Sequence, residues 1–133
     1  MDQKTRLAVS INLYNLLVLH AYARVGIPDS NVKRYSFFDN VAYDIGGYQY
    51  SLNDLENGVL RSNSYSLYHF NRPFGAGDPR LEAIMENIDP RIHFALNCGA
   101  KSCPPIAFYD YDQLEGQLEL AASSFLTQDV EID

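Results

Sequence analysis

Tryptophan is absent from this 133-residue chain, and cysteine occurs only twice, at Cys98 and Cys103. Two thiols cannot build a disulfide framework, so the fold must rest on a hydrophobic core. A zinc knuckle is poorly served too, because no second cysteine pair exists and the spacing of the two present is wide. Positive charge is scarce. Ten Lys and Arg against 17 Asp and Glu give a net charge of −7, which repels phosphate backbones and excludes general nucleic-acid binding. No Lys/Arg run suggests a membrane surface. No apolar stretch is long enough to span a bilayer, since the densest, Leu13 to Ala23, is interrupted by Tyr14, Asn15 and His20. Residues 1–6 lack the tripartite pattern of a signal peptide, and the expected compartment is the cytoplasm.

What is present is a hydrophobic share of 47%, enough for the core of one domain of common size. Arg6 to Val25 reads as a central helix, with Leu13, Leu16, Leu17 and His20 on one spacing and Ile11, Tyr14, Val18 and Tyr22 on another. Both faces are apolar, which predicts a helix surrounded by other elements. Asn12 and Asn15 lie on it at neighbouring positions, and buried amides there are expected to bond a loop's backbone. Val41–Ile45 and Tyr48–Ser51 flank Gly46-Gly47, a hairpin signal. Ser51 then caps a predicted helix over 52–60, with Leu52, Leu55, Val59 and Leu60 inward. Glu56 and Arg61 are five apart, so pairing between them requires that helix to end first.

Residues 62–77 show no usable periodicity. Asp78-Pro79 opens a predicted helix to about Asn87, and Ile92 to Leu96 suits a short buried strand, a helical turn being the other option. Asn97 to Pro105 is a loop. Asp110 to Leu126 reads as an amphipathic helix with Leu114, Leu118, Ala121, Ala122 and Phe125 inward, and Val130 to Ile132 as a terminal strand. The fold class is α+β: a single domain with a buried N-terminal helix, a small mostly antiparallel sheet and surrounding helices.

These blocks resemble the domain of unknown function 547 family. Ile11-Asn12-Leu13-Tyr14-Asn15 with His20 is similar to its opening motif, followed by Val41-Ala42-Tyr43 with Ile45-Gly46-Gly47. Ser51-Leu52-Asn53-Asp54-Leu55-Glu56 with Gly58-Val59-Leu60-Arg61 looks like the next block. Asp89-Pro90-Arg91-Ile92-His93-Phe94-Ala95-Leu96-Asn97-Cys98-Gly99-Ala100-Lys101-Ser102-Cys103-Pro104-Pro105 is the most specific. The family often has His where this chain has Asn57, and an aromatic where it has Ser10. The resemblance implies a further strand or helix beyond residue 133. Such domains stand alone in bacteria, some exported, or beside glutaredoxin, DEP or plant leucine-zipper modules. No settled activity comes with the family.

The polar residues of these blocks define a candidate site: His20, Glu56, Arg61, His93, Asn97, Cys98 and Cys103. A cysteine nucleophile needs a base and a group to orient that base. Cys98 is the candidate nucleophile, His20 the base, and Glu56 or Asn15 its orienter. Asn97, Lys101 and Ser102 are candidates to bind substrate or an oxyanion, and Arg61 an anionic substrate group. In a strand, the odd separation of His93 and Cys98 would put them on opposite faces, which favours His20. A thiol-dependent hydrolase-like site thus leads over a non-catalytic module that binds a protein or peptide through Tyr65 to Phe74 and Arg72. A metal or redox site on His93, Cys98 and Cys103 ranks third. Nothing in the sequence requires a cofactor.

Overall fold

A computed structural model describes residues 2–65, 72–96 and 107–132, the side chains of residues 31, 35 and 125–132 excepted. Helix α1, Gln3–Val25, starts where Asp2 accepts a hydrogen bond from the Thr5 amide at 2.7 Å and stops at Gly26, whose φ of 85° suits glycine. Its inner side carries Ile11, Tyr14, Leu17 and Val18, each at most 2% exposed. The outer side keeps Leu16 and Leu19 about half exposed, at 54% and 49%. The expectation of a helix enclosed on both faces is therefore corrected: α1 lines the core along one side only.

Helix α2, Asn31–Asn40, had no counterpart in the sequence reading. Ser30 caps it by accepting from the Lys33 amide at 3.2 Å, and Phe37 and Phe38 pack against the core. Strands β1, Ala42–Ile45, and β2, Tyr48–Ser51, pair antiparallel through Gly46 and Gly47, with Ile45 opposite Tyr48 and Ala42 opposite Ser51. Both glycines have positive φ, 62° and 89°, as a primed two-residue turn demands.

Ser51 and Asp54 then form a reciprocal cap: each backbone N–H donates to the other's side chain at 3.0 Å. The segment that follows, Asp54–Leu60, is a π-helix, where an α-helix was expected. The wider turn still sends Leu55, Val59 and Leu60 inward, with Leu52 just ahead of them. Gly58 meets the Phe74 ring so closely that a Cβ would lie 2.6 Å from its Cζ. Ser62 and Asn63, both with left-handed φ, turn the chain away.

Three further expectations are corrected. The helix expected over 78–87 is a 3-10 turn, Pro79–Ala83, because the Met85 amide leaves to donate to Val59 O at 2.9 Å. The strand expected over 92–96 is a 3-10 turn, Pro90–Phe94. Asp89 caps it, and Ile92, Ala95 and Leu96 are buried at helical rather than alternating spacing. The terminal strand is absent because helix α3, Leu114–Ile132, continues through it, with no Gly or Pro after Gly116 to stop it. Leu114 and Leu118 are fully buried on α3, Ala121 and Ala122 half-buried. The result is a mostly helical α+β domain around one core.

Candidate functional site

Two polar clusters sit against α1. The first lies at its C-terminal half, where His20 Nδ1 is 3.0 Å from the Tyr43 hydroxyl on β1. The rings tilt at 46° with centroids 5.7 Å apart, and His20 is otherwise exposed. One imidazole nitrogen is thus held by a phenol, whose hydroxyl can take either role; the tautomer in which Nδ1 donates leaves Nε2 unprotonated. Sequence reasoning did not single out Tyr43 for the site, although it read Val41–Ile45 as one arm of a hairpin. Burial lifts the Tyr43 pKa above the ordinary phenol value, so it stays a neutral hydroxyl at physiological pH.

The second cluster is held by the π-helix. Asn53, Asn57 and Arg61 form a ladder at four-residue steps: the Asn57 amide donates to Asn53 Oδ1 at 2.7 Å, and Arg61 Nη1 to Asn57 Oδ1 at 3.0 Å. Asn53 and Asn57 are buried at 7% and 2% exposure. The π-helix ends at Leu60, and the Arg61 amide reaches back five residues to Glu56 O at 2.8 Å. The helix does end there, but among the described residues no ion pair joins Glu56 to Arg61: the guanidinium bonds Asn57 instead. Burial raises the Glu56 pKa, and the Arg61 charge only partly opposes the rise. Tyr14, buried on α1, has its pKa pushed well up by burial, with Glu56 and Tyr22 adding to the effect. Arg61 Nε is buried without a hydrogen-bond partner among the described residues.

The asparagines of α1 do structural work. Asn15 donates to Ala95 O at 2.9 Å, while Asn12 donates to Tyr109 O and accepts from Tyr109 N, both at 2.8 Å. This is the expected bonding of buried amides to loop backbone. Both ends of the segment 96–108 are thereby tied to α1, one helical turn apart. Arg91 secures the same region: it grips Asp89 on its own turn and Glu115 and Glu119 on α3, at 2.7–3.1 Å.

The model of the family described as "Protein of unknown function, DUF547" matches residues 1–126. The chain belongs to the DUF547 family. No curated protein and no solved structure matches it.

In this DUF547 domain, the structure places His20, Asn15, Glu56 and Arg61 around α1 and the π-helix. Asn97, Cys98, Lys101, Ser102 and Cys103 lie outside the described residues. His93 is exposed on its 3-10 turn, so the odd-separation argument that set it aside loses its strand. Among the described residues, no group of three His, Cys, Asp or Glu side chains is placed to hold a metal. No described helix is long and apolar enough to cross a membrane. Of the suggested interaction stretch, Phe74 is core at 1% exposure, whereas Tyr65 is exposed at 55% with Arg72 5.3 Å from its ring centroid. Residues 66–71 between them lie outside the described residues.

Proposed function

We propose that this DUF547 domain is a thiol-dependent, hydrolase-like domain with Cys98 as nucleophile and His20 as base. The observation that carries the reading is the bond from His20 Nδ1 to the Tyr43 hydroxyl, which orients an exposed imidazole and leaves Nε2 for a second partner. Tyr43 takes the orienting role first given to Glu56 or Asn15. Asn15 contributes by holding the Ala95 carbonyl to α1. Cys98 is three Cα–Cα steps along the chain from Ala95, a span of no more than about 11 Å. His20 stands five residues along the same helix from Asn15, about 7.5 Å of axial rise.

In the reaction, His20 Nε2 takes the thiol proton as the Cys98 sulfur adds to a substrate acyl carbon. The carbonyl electrons move to its oxygen, with Asn97, Lys101 and Ser102 as candidate donors to the oxyanion. Collapse expels the leaving group, which carries off the proton from His20. Water then adds to the thioester and releases the acid and the free thiol. Arg61 beside Glu56 is the candidate anchor for an anionic group of the substrate.

The test is alkylation of the full chain by iodoacetamide across pH, in a Cys103→Ser background. The expected result is reaction of Cys98 in the folded protein with a pKa below that of a free thiol, lost in His20→Ala. Reaction only after unfolding would overturn the reading. A non-catalytic interaction module is the second reading, favoured by the exposed Tyr65 stacked with Arg72.

A further inference from the structure

The hairpin has two outer edges, and they are not equivalent. Across a two-residue turn the closing pair, Ile45 and Tyr48, exchanges backbone hydrogen bonds. The backbone groups of Ala42, Asp44, Gln49 and Ser51 consequently point away from the partner strand. On β2 one backbone group of each residue is taken by a side chain. Gln49 O accepts from Arg80 Nη1 at 2.7 Å, Ser51 N donates to Asp54 Oδ2 at 3.0 Å, and Arg80 and Asp54 are themselves paired at 3.1 Å. Arg80 is pinned further by Asp78 at 2.8 Å, with its guanidinium 4.4 Å from the Phe74 ring centroid. This edge is partly covered by charged side chains, a common protection against stray pairing.

On β1 the N–H and C=O groups of Ala42 and Asp44 have no hydrogen-bond partner among the described residues, and both residues are exposed. We infer that the outer edge of β1 receives an extended peptide as a third strand, with a basic residue across from Asp44. Strand addition to an open edge supplies main-chain bonds for affinity and side-chain neighbours for choice. The charge of the chain argues for such a guest over a second copy. At −7, two copies repel, and a basic peptide is attracted. Tyr43, between the two open residues, is the residue bonded to His20. A guest strand would lie about 4.8 Å from the strand that positions the imidazole. The inference rests on the proposed thiol site for the fate of the peptide, making an extended polypeptide the substrate class; its docking rests on the edge alone.

The experiment uses the full chain carrying Cys98→Ala, so that binding is read without turnover, and a labelled, blocked pentapeptide alternating Val and Lys. Saturable binding by fluorescence anisotropy is expected, with slowed hydrogen exchange at the amides of Ala42 and Asp44. Ala42→Pro, which removes only an outward N–H, should weaken binding roughly two- to tenfold. Methylating alternate amides of the peptide should abolish binding on one register and spare it on the other, a control independent of how Ala42→Pro folds. Asp44→Lys should shift preference to the matching Glu peptide, by up to about fivefold. Unchanged exchange at Ala42 and Asp44 under saturating peptide would overturn the inference. So would a dimer by sedimentation that Ala42→Pro dissociates, since a second copy would then occupy the edge. Binding intact in Cys98→Ala but no cleavage by the unsubstituted chain would fail the thiol reading alone.

Discussion

Replacing Gly58 by Ala tests whether the π-helix and the Phe74 ring are locked together. The added methyl would stand 2.6 Å from Cζ, 2.7 Å from Cε2 and 3.2 Å from Cε1 of Phe74. A ring on a free side chain would swing aside. This one is 1% exposed, sits edge-on to Tyr50 at 6.2 Å between centroids, and has Arg80 over it. Its backbone is fixed as well, because Asn63 accepts from Phe74 N at 2.9 Å and donates to Phe74 O at 2.8 Å. Overpacking of this kind costs about 1–3 kcal/mol. Alanine recovers about 0.5–1 kcal/mol of backbone entropy within a helix. Contacts of 2.6 and 2.7 Å to a ring that cannot move put the cost in the upper half of that range, so the net expectation is a loss of roughly 1–2.5 kcal/mol, which for a chain of this size lowers the melting temperature by about 3–10 °C. Urea denaturation followed by circular dichroism measures it. Phe74→Leu should absorb the methyl, so the double variant should be more stable than the sum of the single losses predicts, by at least about 0.5 kcal/mol. Gly58→Ala as stable as the parent would refute the locked packing.

Other perturbations probe the polar clusters. Burial raises the Glu56 pKa above the value of 4.5 for a free side chain, so its ionisation opposes folding. The stability this protonated form confers is complete below pH 4.5 and lost as pH rises through the folded pKa. Glu56→Gln should therefore gain stability relative to the parent as pH rises from 4 to 7, and denaturant midpoints across that range would show no widening gap if the reasoning fails. Hydrogen bonds from Arg91 hold the Asp89 carboxyl below its ordinary pKa of 3.8, so this pair stabilises above that pH and releases on acidification. Arg91→Ala should cost about 1–3 kcal/mol at pH 7 and far less at pH 2, by the same assay. Asn12→Leu leaves both backbone groups of Tyr109 without a partner and should cost about 2 kcal/mol, with faster amide exchange at Tyr109. Tyr43→Phe should slow alkylation of Cys98 while leaving the melting temperature within about 5 °C, whereas equal rates would remove Tyr43 from the site.

Turn chemistry was the most legible part of the sequence. Gly46-Gly47, the Ser51 cap and Gly26 fix their elements through backbone conformations or donors that few other residues supply. Periodicity served well for Leu114 and Leu118 on α3 and for Leu55 and Val59. It misled at Ile92 to Leu96, because a run of apolar residues carries no period, and the Asp89-Pro90 cap was the better guide. The π-helix was hidden because its hydrogen-bond step leaves no mark on a short apolar pattern. Helix α2 went unseen because Val32 is 78% exposed, and only Ser30 announces it. Within the candidate site, Glu56 and Arg61 were picked out by residue type alone. The contact of His20 with Tyr43 was not foreseen, since the two are 23 residues apart and nothing local points across the fold.

Side-chain amides clasp backbone at several places. Asn63 with Phe74, Asn12 with Tyr109, and Gln117 with Asp110 N and Phe108 O, both at 2.8 Å, imitate peptide-to-peptide bonding at single points. Each one spares main-chain groups at the margin of the core from losing a partner, so a single carboxamide stands in for a stretch of sheet or helix there. Altering one of them leaves a backbone donor or acceptor unpaired, at about 1–3 kcal/mol.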